Sequence, residues 1–363
     1  MVKSLVSRDI PKSCATVGIS VIDTTTYLNN LDPALVIDPV YQGHGKISMP
    51  SFSFLIHHAA SDTRVLFDLG LRKNWATHLS PHLREVILGL PFDIACEKDT
   101  ADILADHGPP PLGPRGRPDQ VPLSTKIVTG PGYTAKYLPG WPEDPTASET
   151  TSDLYDGRSV VEITFEEPAS LTICDYRAVD YFGDGSFYLL DSPGHTTGHL
   201  TALARTTTTS ASSAEETDTF IFLAADTVHH AAVFRPTDFF PLPDELRPIP
   251  GHADMGSCCA SGLYRTAHRL LEKDPPKAST TPFCLMPPGN PYDEDHGEAE
   301  RTVKKMLPFD GDPDVFTIFS HDDTLLGAID LFPMSANHWK AMGWKERCHW
   351  RFLRSMSSVS VVS

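Results

Sequence analysis

At 363 residues with a formal net charge of −17, the chain is long enough for one large α/β domain and too acidic to favour nucleic acid or an anionic membrane. No apolar run reaches the length of a membrane span, the first nine residues lack an apolar signal core, and none of the seven cysteines forms a Cys-x-x-Cys pair. The expectation is a cytoplasmic protein with reduced thiols that meets a small molecule, with its oligomeric state left open.

In chain order, strand-like runs at 16–25, 52–56 and 64–67 lead into helix-like stretches at 83–90 and 98–106. A proline-rich segment follows. Next come a short run at 126–128, a brief helix at 133–137 and a polar loop at 139–157. Runs at 160–165, 171–174, 177–181, 187–190, 200–204 and 220–223 read as a meander of strands. The tract 206–216 holds only Ser, Thr, Ala and Glu and reads as a hairpin loop. Helices are expected at 257–271, opening at Cys258-Cys259, and at 298–307. Trp339, Trp344 and Trp350 should pack a terminal helix on the sheet. Nothing resembles an interdomain linker, so residues 1–363 are taken as one domain.

The most informative stretch is Ser192-Pro193-Gly194-His195-Thr196-Thr197-Gly198-His199-Leu200. It sets an imidazole in a tight Pro-Gly turn at a strand end, the rigid placement that a metal ligand requires. The run Phe220-Ile221-Phe222-Leu223-Ala224-Ala225 ends on Asp226, and Val315-Phe316-Thr317-Ile318-Phe319-Ser320 ends on His321. A carboxylate closing an apolar run is costly unless a cation or hydrogen bonds meet it. Each of the three alone has a structural reading, as a turn or capping residue. Together His195, Asp226 and His321 offer a donor set for a divalent metal. His199 reads as a structural or supporting residue, and His229 and His230 as lining the same pocket.

At these residues the chain resembles the lactonase-like branch of the metallo-β-lactamase superfamily. The supporting stretches are Phe67-Asp68-Leu69-Gly70-Leu71-Arg72-Lys73, Thr129-Gly130-Pro131-Gly132, Tyr181-Phe182-Gly183-Asp184-Gly185-Ser186, the His195 turn, Ala225-Asp226 and Ser320-His321-Asp322. The resemblance implies a four-layer αββα sandwich with two zinc ions at one sheet edge. It also implies hydrolysis of a small cyclic ester or amide, a lactone or lactam. By the same resemblance His195 binds the first metal, Asp226 bridges both and His321 binds the second. His229 and His230 then lie near the substrate, and Asp68 steadies the metal loop.

One departure is plain. The family's His-x-His-x-Asp-His motif is absent, because none of the 16 histidines has a histidine two positions away. Where the motif belongs, residues 109–125 are an atypical replacement with five prolines before Val121, unfit for a central strand. Three readings of the gap stand open. They are a mis-joined gene model or lesioned allele, a non-catalytic binding protein on the same fold, and replacement of the lost ligands by other residues. The candidates for replacement are His57-His58, His107 and His229-His230.

Overall fold

The alternating apolar runs become the faces of two sheets. The computed structural model describes residues 10–41, 44–107, 124–147, 149–166, 170–209, 217–246, 262, 264, 265, 268–270, 273–290 and 292–356. The first sheet contains β1 (Gly18–Leu31), β2 (Ile47–His58), β3 (Thr63–Phe67) and β4 (Asp93–Cys96), in the antiparallel order β3-β2-β1-β4. Helices α1 (Pro81–Leu88) and α2 (Thr100–Asp106) flank β4 in the chain. A small parallel pair, β5 (Ile127–Thr129) and β6 (Val160–Glu162), brackets α3 (Tyr133–Tyr137).

The second sheet has the order β12-β11-β10-β9-β8-β7. Its strands are β7 (Leu171–Ile173), β8 (Tyr176–Asp180), β9 (Phe187–Asp191), β10 (Leu200–Thr207), β11 (Thr219–Leu223) and β12 (Val315–Ile318). β7 to β11 form an antiparallel meander and β12 joins β11 in parallel, but the run 160–165 expected to open that meander does not belong to it: β6 pairs with β5, where Glu162 accepts the Gly132 and Thr134 amides at the start of α3. Helix α4 (His296–Gly311) leads into β12, and α5 (Trp344–His349) lies near the end of the described chain.

A period of two assigns each side chain to a layer. Phe187, Leu189, Ala202, Ala204, Ile221 and Leu223 face Val21, Phe52 and Phe54 of the first sheet and form the core between the sheets. Their neighbours Tyr188, Leu190, Leu203, Phe220 and Phe222 turn the other way, onto Ala299, Val303, Met306 and Phe309 of α4. Phe222 and Phe309 stack with ring centroids 4.4 Å apart. On the far side α2 packs on β1 and buries Thr100 and Leu104. The layers are therefore helix, sheet, sheet, helix: the αββα sandwich. Each fully buried Phe, Leu or Ile contributes about 1.5–3 kcal/mol, so a sheet buried on both faces is the main adhesive.

Three differences from the sequence expectation have local causes. β1 continues past Thr25 because Thr25 takes a left-handed φ of 58° and a register shift between Asp23 and Thr26 bends the strand onward. The continuation pairs with β4, a four-residue edge strand whose half-exposed pattern carries little periodic signal. α4 begins two residues earlier than expected because the Asp295 carboxylate accepts the Glu298 amide at 2.9 Å. Trp339 is fully buried and stacked on Phe316 at 5.5 Å, and Trp344 opens α5. Segments 109–123 and 210–216, and most of the expected helix 257–271, lie outside the described residues.

Candidate metal centre

Because β10 is antiparallel to both its neighbours and β12 is parallel to β11, strands β9, β11 and β12 end at one edge of the second sheet. His195 lies in the connection after β9, and Asp226 and His321 each lie three residues past the ends of β11 and β12. The topology thus gathers residues that are up to 126 positions apart in the sequence.

The turn around His195 depends on its glycine. Gly194 has φ 126°, and a Cβ there would sit 2.2 Å from the backbone nitrogen of Ala299. The turn is pressed against the first two turns of α4, where Thr302 Oγ1 donates to the Pro193 carbonyl at 2.7 Å. Non-glycine residues take left-handed φ elsewhere at the site: Ala225 at 48°, just before Asp226, and Asp68 at 64°, just after β3. Such backbone costs on the order of 1–3 kcal/mol per residue and persists where the surroundings over-determine it. Asp68 shows how. It accepts the Leu69 amide at 2.7 Å and the Ser320 hydroxyl at 2.6 Å, which ties the end of β3 to the residue before His321.

Donor atoms of Asp226, His229 and His321 lie within 4.8 Å of one another. His321 Nδ1 is bound to the Pro50 carbonyl at 2.8 Å, which turns Nε2 toward Asp226 Oδ1 at 3.2 Å. That contact lacks the direction of a hydrogen bond, and Asp226 Oδ1 remains buried without a hydrogen-bond donor among the described residues. The His229 ring is nearly parallel to His321 at 5.5 Å and lies 5.2 Å from His195. His195 Nδ1 lies 3.3 Å from Asp293 Oδ1, with Asp293 fully buried. His199 bridges two backbone groups: Nδ1 donates to the Ser192 carbonyl at 2.9 Å, and Nε2 accepts the Asp226 amide at 3.3 Å.

Burial opposes charge on every one of these groups, and the balance differs among them. Burial and the neighbouring His195 push His229 down to about 3. Burial likewise pushes His199 down to about 4, consistent with its neutral bridging role. Asp226 stays well below the ordinary carboxylate range despite burial, because His321, His195 and His229 surround it. Burial also depresses His321 and His195, but Asp226 outweighs it on His321, and Asp293 with Asp226 outweighs it on His195, so both titrate above the usual histidine value. The carboxylate thus collects positive charge around itself. A divalent cation meets the same need, and two imidazoles with a carboxylate suit zinc and its neighbours in the first transition row.

Of the residues proposed as replacement ligands, only His229 reaches this cluster. His57 pairs with Asp62 at 3.1 Å, and His58 bonds Asp184 at 2.8 Å while stacking on Phe182. His107 Nδ1 lies on the Ile103 carbonyl at 3.0 Å and its ring sits against Phe332. His230 Nδ1 accepts the Ala232 amide at 3.1 Å, so its proton is on Nε2. His229 and His230 line a pocket with Ile47, Ser48, Met49, Phe319, His321, Asp323 and Ser355. Arg72 is paired with Asp153 at 3.0 Å.

Sequence reasoning did not single out Asp293 or Glu294. Glu294 accepts the Thr197 amide at 2.9 Å and its hydroxyl at 2.8 Å, meets the Tyr137 hydroxyl, and pairs with Lys136 at 2.7 Å. Burial opposes its ionisation, but these donors pull its carboxyl down to about 2. The only sequence signal was an acidic run ahead of α4, which reads as helix capping. Asp295 does cap, while the two residues before it turn back to clamp the His195 loop.

No family model matches the chain. Gamma-lactamase FDB1 of Fusarium pseudograminearum is 35% identical to it over 362 residues, covering 94% of this chain and 83% of that protein. Metallo-hydrolase mfmC of Annulohypoxylon moriforme is 34% identical over 365 residues, covering 94% and 88%. Three longer curated relatives are 34–35% identical, and the chain spans only 38–39% of their length. Among solved structures, an N-acyl homoserine lactone hydrolase holding its product at the catalytic metal centre aligns with a TM-score of 0.50. That alignment has 13% identity and covers 88% of this chain and 99% of that one.

Proposed function

This chain belongs to the metallo-β-lactamase superfamily, and on that footing we propose that it is a metal-dependent hydrolase that opens a small cyclic ester or amide, a lactone or a lactam. The observation that carries the reading is the buried Asp226 Oδ1, without a hydrogen bond among the described residues and ringed by imidazoles. The names of the relatives, gamma-lactamase and metallo-hydrolase, support the substrate class and the need for a metal. The residues assigned to hold the metal are His195, Asp226 and His321, and zinc is the ion that this donor chemistry favours. When bound, such an ion polarises a carbonyl and lowers the pKa of water.

The chain's own groups prepare the rest. With its proton on Nδ1 facing Asp293, His195 presents Nε2 as a lone pair, the form needed to bind a metal or accept a proton. Ile47, Met49 and Phe319 give the adjoining pocket apolar walls. His230, neutral with its proton on Nε2, is a donor suited to a substrate carbonyl. The carboxylates of Asp68 and Asp293 hold Ser320 and His195 in place without entering that pocket.

The test is ring opening of a panel of γ-lactones and γ-lactams by protein reconstituted with zinc. Turnover that is lost on chelation and in His321→Ala supports the reading. A second reading, a binding protein without catalysis on the same fold, is favoured by the missing His-x-His-x-Asp-His motif. Tight binding of panel members by folded, metal-loaded protein with no turnover would decide for it.

A further inference from the structure

We propose that this chain binds one divalent metal ion rather than two, and that His229 replaces the lost motif as a ligand beside Asp226 and His321. The inference rests on the reading above, that this cluster holds a metal. Beyond that reading it fixes the stoichiometry and moves His229 from the substrate side to the metal side.

The first argument is elimination by place. Of the replacement candidates His57, His58, His107, His229 and His230, His229 alone brings a ring nitrogen within 4.8 Å of the Asp226 and His321 donors among the described residues. Among the described residues the His229 ring makes no hydrogen bond, and its nearest ring neighbours are His195, His321 and Tyr292. A half-buried imidazole beside a carboxylate, with neither nitrogen hydrogen-bonded among the described residues, is free to serve as a ligand.

The second argument is geometric. Donors about 2.0–2.1 Å from a tetrahedral zinc lie roughly 3.4 Å apart, so three donors already within 4.8 Å need only small side-chain rotations to close on one ion. Asp226 Oδ1 supplies an independent sign, being a buried carboxylate oxygen without a hydrogen-bond donor among the described residues. Two histidines and one carboxylate leave a fourth position of a tetrahedral zinc, the one that His195 adjoins.

The third argument concerns number. Among the described residues no other group of three His, Cys, Asp or Glu side chains comes close enough to hold a second ion. His195 adjoins the trio, and with Nδ1 held by Asp293 it adds its Nε2 to the same ion rather than forming a second site, while Asp68 is occupied by Ser320 and two backbone amides.

The experiment is titration of metal-free full-length protein with Co(II) and Zn(II), reading stoichiometry, affinity and the visible Co(II) absorption. It compares wild type with His229→Ala, His321→Ala and the distant control His57→Ala, each checked for folding by circular dichroism. The expected result is one equivalent in wild type and His57→Ala. In His229→Ala the affinity should fall at least about 100-fold and the tetrahedral Co(II) bands should vanish. Two equivalents in wild type, or affinity unchanged in His229→Ala but lost in His321→Ala, overturns the role of His229 and leaves the metal-dependent reading standing. No binding by folded wild type overturns both.

Discussion

Asp293 Oδ1 stands 3.3 Å from His195 Nδ1, although 98 residues separate the two in the chain. The carboxylate is fully buried and is itself held by Asn290 Nδ2 at 3.1 Å. This contact decides which nitrogen of His195 carries its proton.

Replacing that carboxylate with an amide should expose its role. In Asp293→Asn the side chain keeps its shape, but its amide group can turn an N–H toward Nδ1 and shift the imidazole proton to Nε2. Metal affinity is expected to fall about 10–100-fold with little change in melting temperature. Competition against a chromophoric chelator measures it, and an unaltered affinity would show that Asp293 does not set the tautomer.

The Pro193-Gly194 turn makes a separate prediction about stability. A methyl at position 194 meets both the nitrogen and the Cα of Ala299, at 2.2 and 2.4 Å, while φ stays at 126°. Gly194→Ala should therefore destabilise the fold by about 2–5 kcal/mol by combining backbone strain with overpacking. Urea unfolding measures this directly. A loss below about 1 kcal/mol would mean that α4 can move away from the turn.

A buried ion pair links α4 to the segment after the metal centre. Arg235 Nε lies 3.0 and 3.2 Å from the two Asp310 oxygens and its Nη2 lies 2.7 Å from one of them, with both side chains at most 3% exposed. Arg235→Met strands a buried carboxylate and should cost about 3–5 kcal/mol. Arg235→Met combined with Asp310→Leu should cost less than the sum of the single changes, because no charge is left alone. Additive losses in a double-mutant cycle would contradict the coupling.

Acid sensitivity should come partly from His349. It is buried, neither ring nitrogen has a hydrogen-bond partner among the described residues, and Arg235 and Lys345 face it beside the rings of Phe240 and Trp350. Burial first, then those two cations, pushes its titration well below the ordinary histidine value. Asp310 lies 3.9 Å from His349 Nδ1, but it is already engaged by Arg235 and does not reverse the direction. The folded state therefore binds fewer protons than the unfolded chain, whose histidine titrates near 6.5. Stability should fall as pH drops through about 6.5 and continue to fall toward the lower folded value. In His349→Gln the dependence of unfolding free energy on pH between about 7 and 5 should flatten by up to one proton. An identical slope in the variant would assign the acid sensitivity to other groups.

How much of this was legible in the chain can be argued residue by residue. The strands of the second sheet were readable because residues such as Phe187 to Leu190 and Phe220 to Leu223 are apolar on both faces, as a doubly covered sheet demands. β4 was not, because its alternating exposed and half-buried residues give a short edge strand no apolar period to detect. The bend that carries β1 past Thr25 likewise follows from a left-handed residue that composition does not mark.

At the candidate metal centre the division is sharper. By itself the sequence determined that His195, Asp226 and His321 would close strands and turns, because apolar runs followed by a polar donor or by Pro-Gly are local patterns. It also determined that the His-x-His-x-Asp-His ligands are absent. Only the tertiary structure decided that His229, rather than His57, His58, His107 or His230, reaches Asp226 and His321, and that Asp293 and Glu294 clamp the His195 loop. The reason is physical: local patterns fix where a donor sits along its own strand, whereas the partner of an imidazole is set by how strands distant in the sequence pack at one sheet edge.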